Sequence, residues 1–143
     1  MNTKTLLILT LLYGMSYGVA QEANQPPAKV VGLVQLLANP EKYDGQRVDL
    51  IGYLRLEFEG NILYLAAEDY KNSIPENGIW IDITHDMDAN RVRLDRKYVQ
   101  LIGTFSSRKK GNSLGAGSLT QIQKATFWSD PEHPRAERSV GGR

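Results

Sequence analysis

The 143-residue chain contains no cysteine. Disulfides, thiolate metal centres and cysteine nucleophiles are excluded, as is a lipid attached to a cysteine at a leader's cleavage point. Histidine is nearly as scarce, with His85 and His133 the only two. Charge excess is missing as well: 17 Lys and Arg stand against 16 Asp and Glu. Proteins that grip polyphosphate ordinarily carry a basic surplus, and the overall balance shows none. The longest apolar run, residues 6–12 (LLILTLL), is soon interrupted by Tyr13, Gly14, Ser16, Tyr17 and Gly18. It falls well short of the roughly 20 residues that span a bilayer.

That run does fit a secretory leader. A single cation, Lys4, precedes it, and the small residues Gly18 and Ala20 sit in the positions that favour cleavage before Gln21. Residues 1–20 are expected to be a signal peptide and the remainder periplasmic or secreted, without a stable membrane anchor. Loss of Lys4 would bring the cations level with the 16 acids. An exported domain without disulfides must be held by its core, and about 100 residues are enough for one.

After a polar linker with two prolines (21–29, QEANQPPAK), Val30, Leu33, Val34 and Leu37 follow at helical spacing, and Asn39-Pro40 ends that short helix. Asp44-Gly45 makes a turn. From 47 to 58 the period becomes two: Val48, Leu50, Leu54, Leu56 and Phe58 share one face with Gly52, and Asp49, Ile51, Tyr53, Arg55 and Glu57 the other. Gly60-Asn61 signals a hairpin into a second strand at 62–66. Residues 67–78 read as a loop, 79–83 as a third strand, 98–105 as a fourth and 119–128 as a fifth. The loop at 106–118 is rich in glycine and serine, and the tail 129–143 has almost no apolar residues; it is expected to be disordered.

The pattern contains an echo. YDGQRVDLIGYL (43–54) returns 51 residues later as LDRKYVQLIGTF (94–105), with Asp44/Asp95, Val48/Val99, Leu50/Leu101, Ile51/Ile102 and Gly52/Gly103 coinciding. Each copy is a polar turn, alternating apolar residues and a glycine at the bend. One short helix, five strands and this repeated bend imply a single all-β domain over 30–128. The two words resemble the first and fourth strands of nucleic-acid-type OB domains, and the whole is similar to small exported bacterial OB-fold proteins. That resemblance implies a five-stranded Greek-key barrel. It departs from the family in one respect: the helix between strands three and four is at best a remnant in THDMDANRVRL. The helix at 30–38 is therefore expected to cover the barrel end, with Ile51 and Ile102 as its packing partners.

For chemistry the chain offers little. His133 lies in the tail. His85 with Asp82, Asp86 and Asp88 matches neither an EF-hand nor a zinc spacing, and Glu57 with Glu59 flank a hairpin without a cleft. No enzyme activity, metal or cofactor is expected. Binding is. The OB-fold's usual ligand surface is the outside of strands two and three with the flanking loops, which here carries Tyr53, Arg55, Tyr64 and Trp80, with Arg108, Lys109 and Lys110 in the 106–118 loop. The partner expected is a protein, peptide or glycan of the envelope. Single-stranded nucleic acid, stacked on these rings, is the alternative, weakened by Glu57 and Glu59 across the same cleft. A haem chaperone is a further alternative, because such OB-fold proteins carry a histidine near the barrel's C-terminal end; four residues after His133, however, stands Glu137 rather than their tyrosine.

Overall fold

A computed structural model describes residues 26–58, 60–108 and 115–129. Its centre is a closed five-stranded barrel built from β2 (Arg47–Arg55), β3 (Ile62–Tyr64), β4 (Gly78–Ile81), β5 (Lys97–Ser106) and β6 (Ser118–Phe127). The strands run in the order β2-β3-β4-β6-β5, and β5 closes back on β2. All neighbours are antiparallel except β4 and β6, which are parallel. This is the OB-like barrel expected from the sequence. A two-residue strand, β1 (Lys29–Val30), adds a parallel edge to the first half of β2.

The predicted alternation along β2 holds as far as Leu56: Val48, Leu50, Leu54 and Leu56 are buried. They meet Leu63, Ile79, Ile81, Val99, Leu101, Phe105 and Leu119 in one apolar cluster. The strand stops at Arg55 rather than running on to 58, and Phe58 is fully exposed.

The sequence echo is a structural two-fold. Leu50 is paired directly with Leu101, its own counterpart, while Val48 faces Gly103 and Gly52 faces Val99. The turns leading into the two strands correspond as well. Gly45 and Arg96 both take left-handed backbone angles, φ 71° and 58°. Their N–H groups donate to the carbonyls of Phe105 (2.9 Å) and Leu54 (2.9 Å), which are again counterparts. Asp44 accepts from the Ser107 N–H at 2.7 Å, and Asp95 from the Leu56 N–H at 2.9 Å. Each copy's aspartate thus ties down the exit of the other copy's strand. The glycines are close-approach sites: a Cβ at Gly52 would lie 2.8 Å from the Tyr64 carbonyl oxygen, and one at Gly103 2.8 Å from that of Thr120.

Three expectations about helices are corrected. The segment between the third and fourth barrel strands forms α4 (His85–Ala89) and α5 (Arg91–Leu94), and Met87 and Leu94 from them enter the core. Thr84 caps α4 by accepting the Met87 N–H, at 3.2 Å. Helix is therefore present between these strands, as two single turns. The N-terminal helix α1 (Leu33–Ala38), followed by α2 (Pro40–Tyr43), lies against β2, and of its two expected partners Ile51 is 37% exposed and Ile102 half-buried. It buries Leu33 and Leu36 in the main cluster, whereas Val30 and Val34, assigned to the apolar face by spacing, are exposed. Residues 67–78, expected as a loop, contain α3 (Ala67–Lys71) and a 3₁₀ turn at Pro75–Asn77.

Candidate functional site

The barrel strands bring Tyr53, Arg55 and Tyr64 onto one outer face, since Tyr53 pairs with Tyr64 and Arg55 with Ile62. That face is not open. Asp69 anchors α3 against it, accepting the Ala66 N–H at 2.9 Å and the Asn77 side-chain amide at 2.8 Å. The result lays Tyr70 over the strands. Its ring centroid lies 4.3 Å from the Arg55 guanidinium carbon, 5.8 Å from the ring of Tyr64 and 6.4 Å from that of Tyr53. Tyr98 closes the other side, 5.6 Å from Tyr53.

Beneath Tyr70, Arg55 is 4% exposed and Tyr64 7%. Arg55 spends the donors of both Nη groups internally, while its buried Nε has no partner among the described residues. Nη1 meets both carboxylate oxygens of Asp95 at 2.6 and 2.7 Å, and Nη2 meets Glu57 at 2.7 Å and the Tyr70 hydroxyl at 3.0 Å. Burial alone would favour loss of its proton, but the hydrogen bond it donates to Glu57 and the charge of Asp95 more than offset this and raise its pKa. Burial, followed by the neighbouring Glu57, pushes the Tyr64 phenol up as well. A guanidinium held in this way rigidifies the end of β2; it has little left to offer a ligand.

The other expected residues lie apart from this cluster. Trp80 is half-buried on the outside of β4, beside Ile62 and Ser118, between the ends of the two loops that flank the barrel face. Arg108 is exposed at the end of β5, where its charge helps the Ser107 N–H hold Asp44 below the usual carboxylate range. Lys109, Lys110, Glu59 and His133 lie outside the described residues, as do the expected leader and most of the tail. Among the described residues no group of three or more His, Asp or Glu is placed to hold a metal ion, and no helix is long and apolar enough to cross a membrane.

A different feature has the form of a binding site. Beyond its short pairing with β4, β6 diverges from the chain that leads into α4 and α5, leaving a half-open groove of about 990 Å³. Met87 and Leu94 from the helices and Ile122 and Phe127 from β6 supply apolar walls. Arg93, Lys97 and Lys124 also line it, against the single acid Asp86. Among the described residues none of these cations forms an ion pair: Lys97 lies 5.6 Å from the Phe127 ring and Lys124 donates to Gln100 at 3.1 Å. Phe127 and Trp128, 50% and 36% exposed, carry the apolar surface out of one end.

Sequence reasoning misses this groove because it allows THDMDANRVRL no more than the remnant of a helix, and so no wall. The signal was there in Met87 and Leu94, two of the apolar residues of that stretch, seven positions apart and so spaced to face one way from two consecutive turns. Tyr70 and Asp95, the residues that occupy the expected face, were equally unassigned, although the echo had already paired Asp95 with Asp44.

No protein-family model matches the chain, and no curated protein shows significant similarity to it.

Proposed function

We propose that this chain is an exported, non-catalytic OB-fold binding module of the cell envelope that recognises a protein or peptide. The carrying observation is the groove between α4, α5 and β6, with its apolar walls and three cations facing one acid. Ligand sites combine concave apolar surface with a few convergent polar groups in this way. Export rests on the leader-like residues 1–20, and the family reading on the two echoing strands. Trp80 and the 106–118 loop remain as a second contact region from the expected ligand face. Single-stranded nucleic acid is disfavoured, since Arg55, the cation expected among the stacking rings, is committed to Asp95 and Glu57.

A photocrosslinking amino acid placed in living cells at position 122, in the groove, tests this. A second at position 80 and a control at exposed position 34 on α1 complete the set. Protein adducts at 122 exceeding those at 34 are expected. Adducts from 122 no stronger than the control overturn the groove as the site; adducts from 80 alone would return the site to the outer barrel face.

A further inference from the structure

The walls of the groove show what shape it takes. Six consecutive residues of β6, from 122 to 127, line it. A strand that presents a face contributes every second residue, so a consecutive run means that β6 offers its edge. From Lys124 to Phe127 β6 is paired with β5 on one side and, among the described residues, with no strand on the other. The hydrogen-bond parity is fixed by the Trp128 N–H, which donates to the Tyr98 carbonyl at 2.9 Å. With Val99 opposite Phe127 and Leu101 opposite Ala125, antiparallel alternation turns Thr126 and Lys124 towards β5. It turns the N–H and C=O groups of Ala125 and Phe127 outward, into the groove.

An unpaired strand edge is a template for another strand. Here it is walled on the far side by helices, roofed by apolar side chains and bordered by Arg93, Lys97 and Lys124. We infer that the groove takes an extended, acidic peptide segment of a partner protein, added as a strand to the outer edge of β6. This rests on the binding-module reading above and specifies the ligand of the same site. Main-chain bonds to Ala125 and Phe127 supply the register. Alternate apolar side chains of the peptide face Met87, Leu94 and Ile122, and its carboxylates meet the three cations.

Selection of a displayed random-heptapeptide library against the mature chain tests the inference. Enriched sequences are expected to alternate acidic and apolar residues. Synthetic versions with alternate backbone nitrogens methylated, which keep every side chain but lose main-chain donors, should bind at least about tenfold more weakly. Ala125→Pro should give a similar loss, since an outward-facing N–H on an edge strand is where proline is tolerated. Arg93→Glu with Lys124→Glu should reverse the charge preference. Enrichment without acidic bias, or binding indifferent to both N-methylation and Ala125→Pro, overturns strand addition. Should Ala125→Pro fail to fold, the N-methylated peptides decide alone. Binding that emerges only after removal of residues 130–143 would make that segment the occupant and overturn the partner assignment. Crosslinks at 122 with peptides indifferent to N-methylation would defeat strand addition while leaving the binding module standing; absence of crosslinks would defeat both.

Discussion

Asp44 and Asp95 are counterparts in sequence and in backbone role, yet their removal should have very different consequences. Each accepts an N–H from the exit of the opposite strand. Asp95 also holds both of its oxygens within 2.7 Å of Nη1 of Arg55, whose side chain is 5% exposed while that of Asp95 is 22% exposed. Removing one member of a buried pair strands the other's charge and costs about 3–5 kcal/mol. Glu57 remains as a partner for Arg55, so the lower end, about 3 kcal/mol, is expected for Asp95→Ala. In a domain of this size that lowers Tm by roughly 12–24 °C. Asp44 is solvent-exposed and, among the described residues, the cation acting on it is the exposed Arg108, so Asp44→Ala should cost far less. Urea unfolding followed by tryptophan fluorescence measures both. The double change Arg55→Met with Asp95→Leu should recover most of the Asp95→Ala loss, because it removes the orphaned charge rather than an attraction. Equal losses for the two aspartates, or an Asp95→Ala loss below about 1 kcal/mol, would refute the assignment of Arg55 as an internal cation.

The other predictions concern backbone and pH. Gly52→Ala should destabilise more than Gly45→Ala, because its Cβ meets the Tyr64 carbonyl at 2.8 Å whereas Gly45 has open space around it and only a positive φ to satisfy; chemical denaturation of the pair gives the order. Arg96→Gly should be neutral or stabilising by up to about 1 kcal/mol, since φ 58° strains any residue with a Cβ; a lowered Tm would contradict this. Asp44 has a folded pKa below 3.8, so its contribution is present above that value and lost as pH falls through the folded one; carboxyl-carbon NMR should show it titrating late, and Asp44→Asn should flatten the acid limb of stability. Tyr64 has a folded pKa above 10.0, so its contribution is present below pH 10.0 and disappears as pH rises through the folded value; ultraviolet titration of Tyr64→Phe should lack the latest-ionising phenol.

What was legible in the sequence is what local periodicity encodes. The apolar alternation of Val48, Leu50 and Leu54, and its return at Val99 and Leu101, fixes which faces are buried. The glycines of the echo mark where neighbouring strands come within van der Waals contact. The echo even contains the pairing of the two strands, since Leu50 meets its own counterpart Leu101. Illegible were the relations between distant side chains of no periodic pattern. Nothing in AEDYK announces that Asp69 will tie down the turn that lays Tyr70 over Arg55. The same holds at Val34 and Leu36. Helical spacing allowed either as the inward residue, and only the position of β2 beneath α1 selects Leu36. The expected ligand face failed to open for the same reason: Tyr53, Arg55 and Tyr64 are on the outside of the barrel, but the outside is not the surface where α3 lies across it.

The divergence between the two copies explains why the groove lies where it does. Both lead-in turns have the same backbone, but the first copy is preceded by α1 and α2 and edged by β1, which covers the start of β2. The second is preceded by α4 and α5, which insert Met87 and Leu94 into the barrel end; α5 approaches β6 without pairing with it, and the groove opens beside that contact. An edge that no described strand pairs invites self-association, and proteins blunt such edges with lysine, an adjacent helix or both. Both devices are present here: Lys97 and Lys124 border the edge and the helices stand opposite it. A second copy of β6 would bring its own cations against these, so like-charge repulsion guards the edge against itself while leaving it open to an acidic strand. Charge reversal at Lys97 and Lys124 together should therefore do more than abolish acidic-peptide binding. Mixed with wild type, the reversed protein should form a heterodimer through β6, visible by analytical ultracentrifugation, where neither protein alone associates. Mixtures that remain monomeric would mean that the helices, not the lysines, are what keep the edge apart.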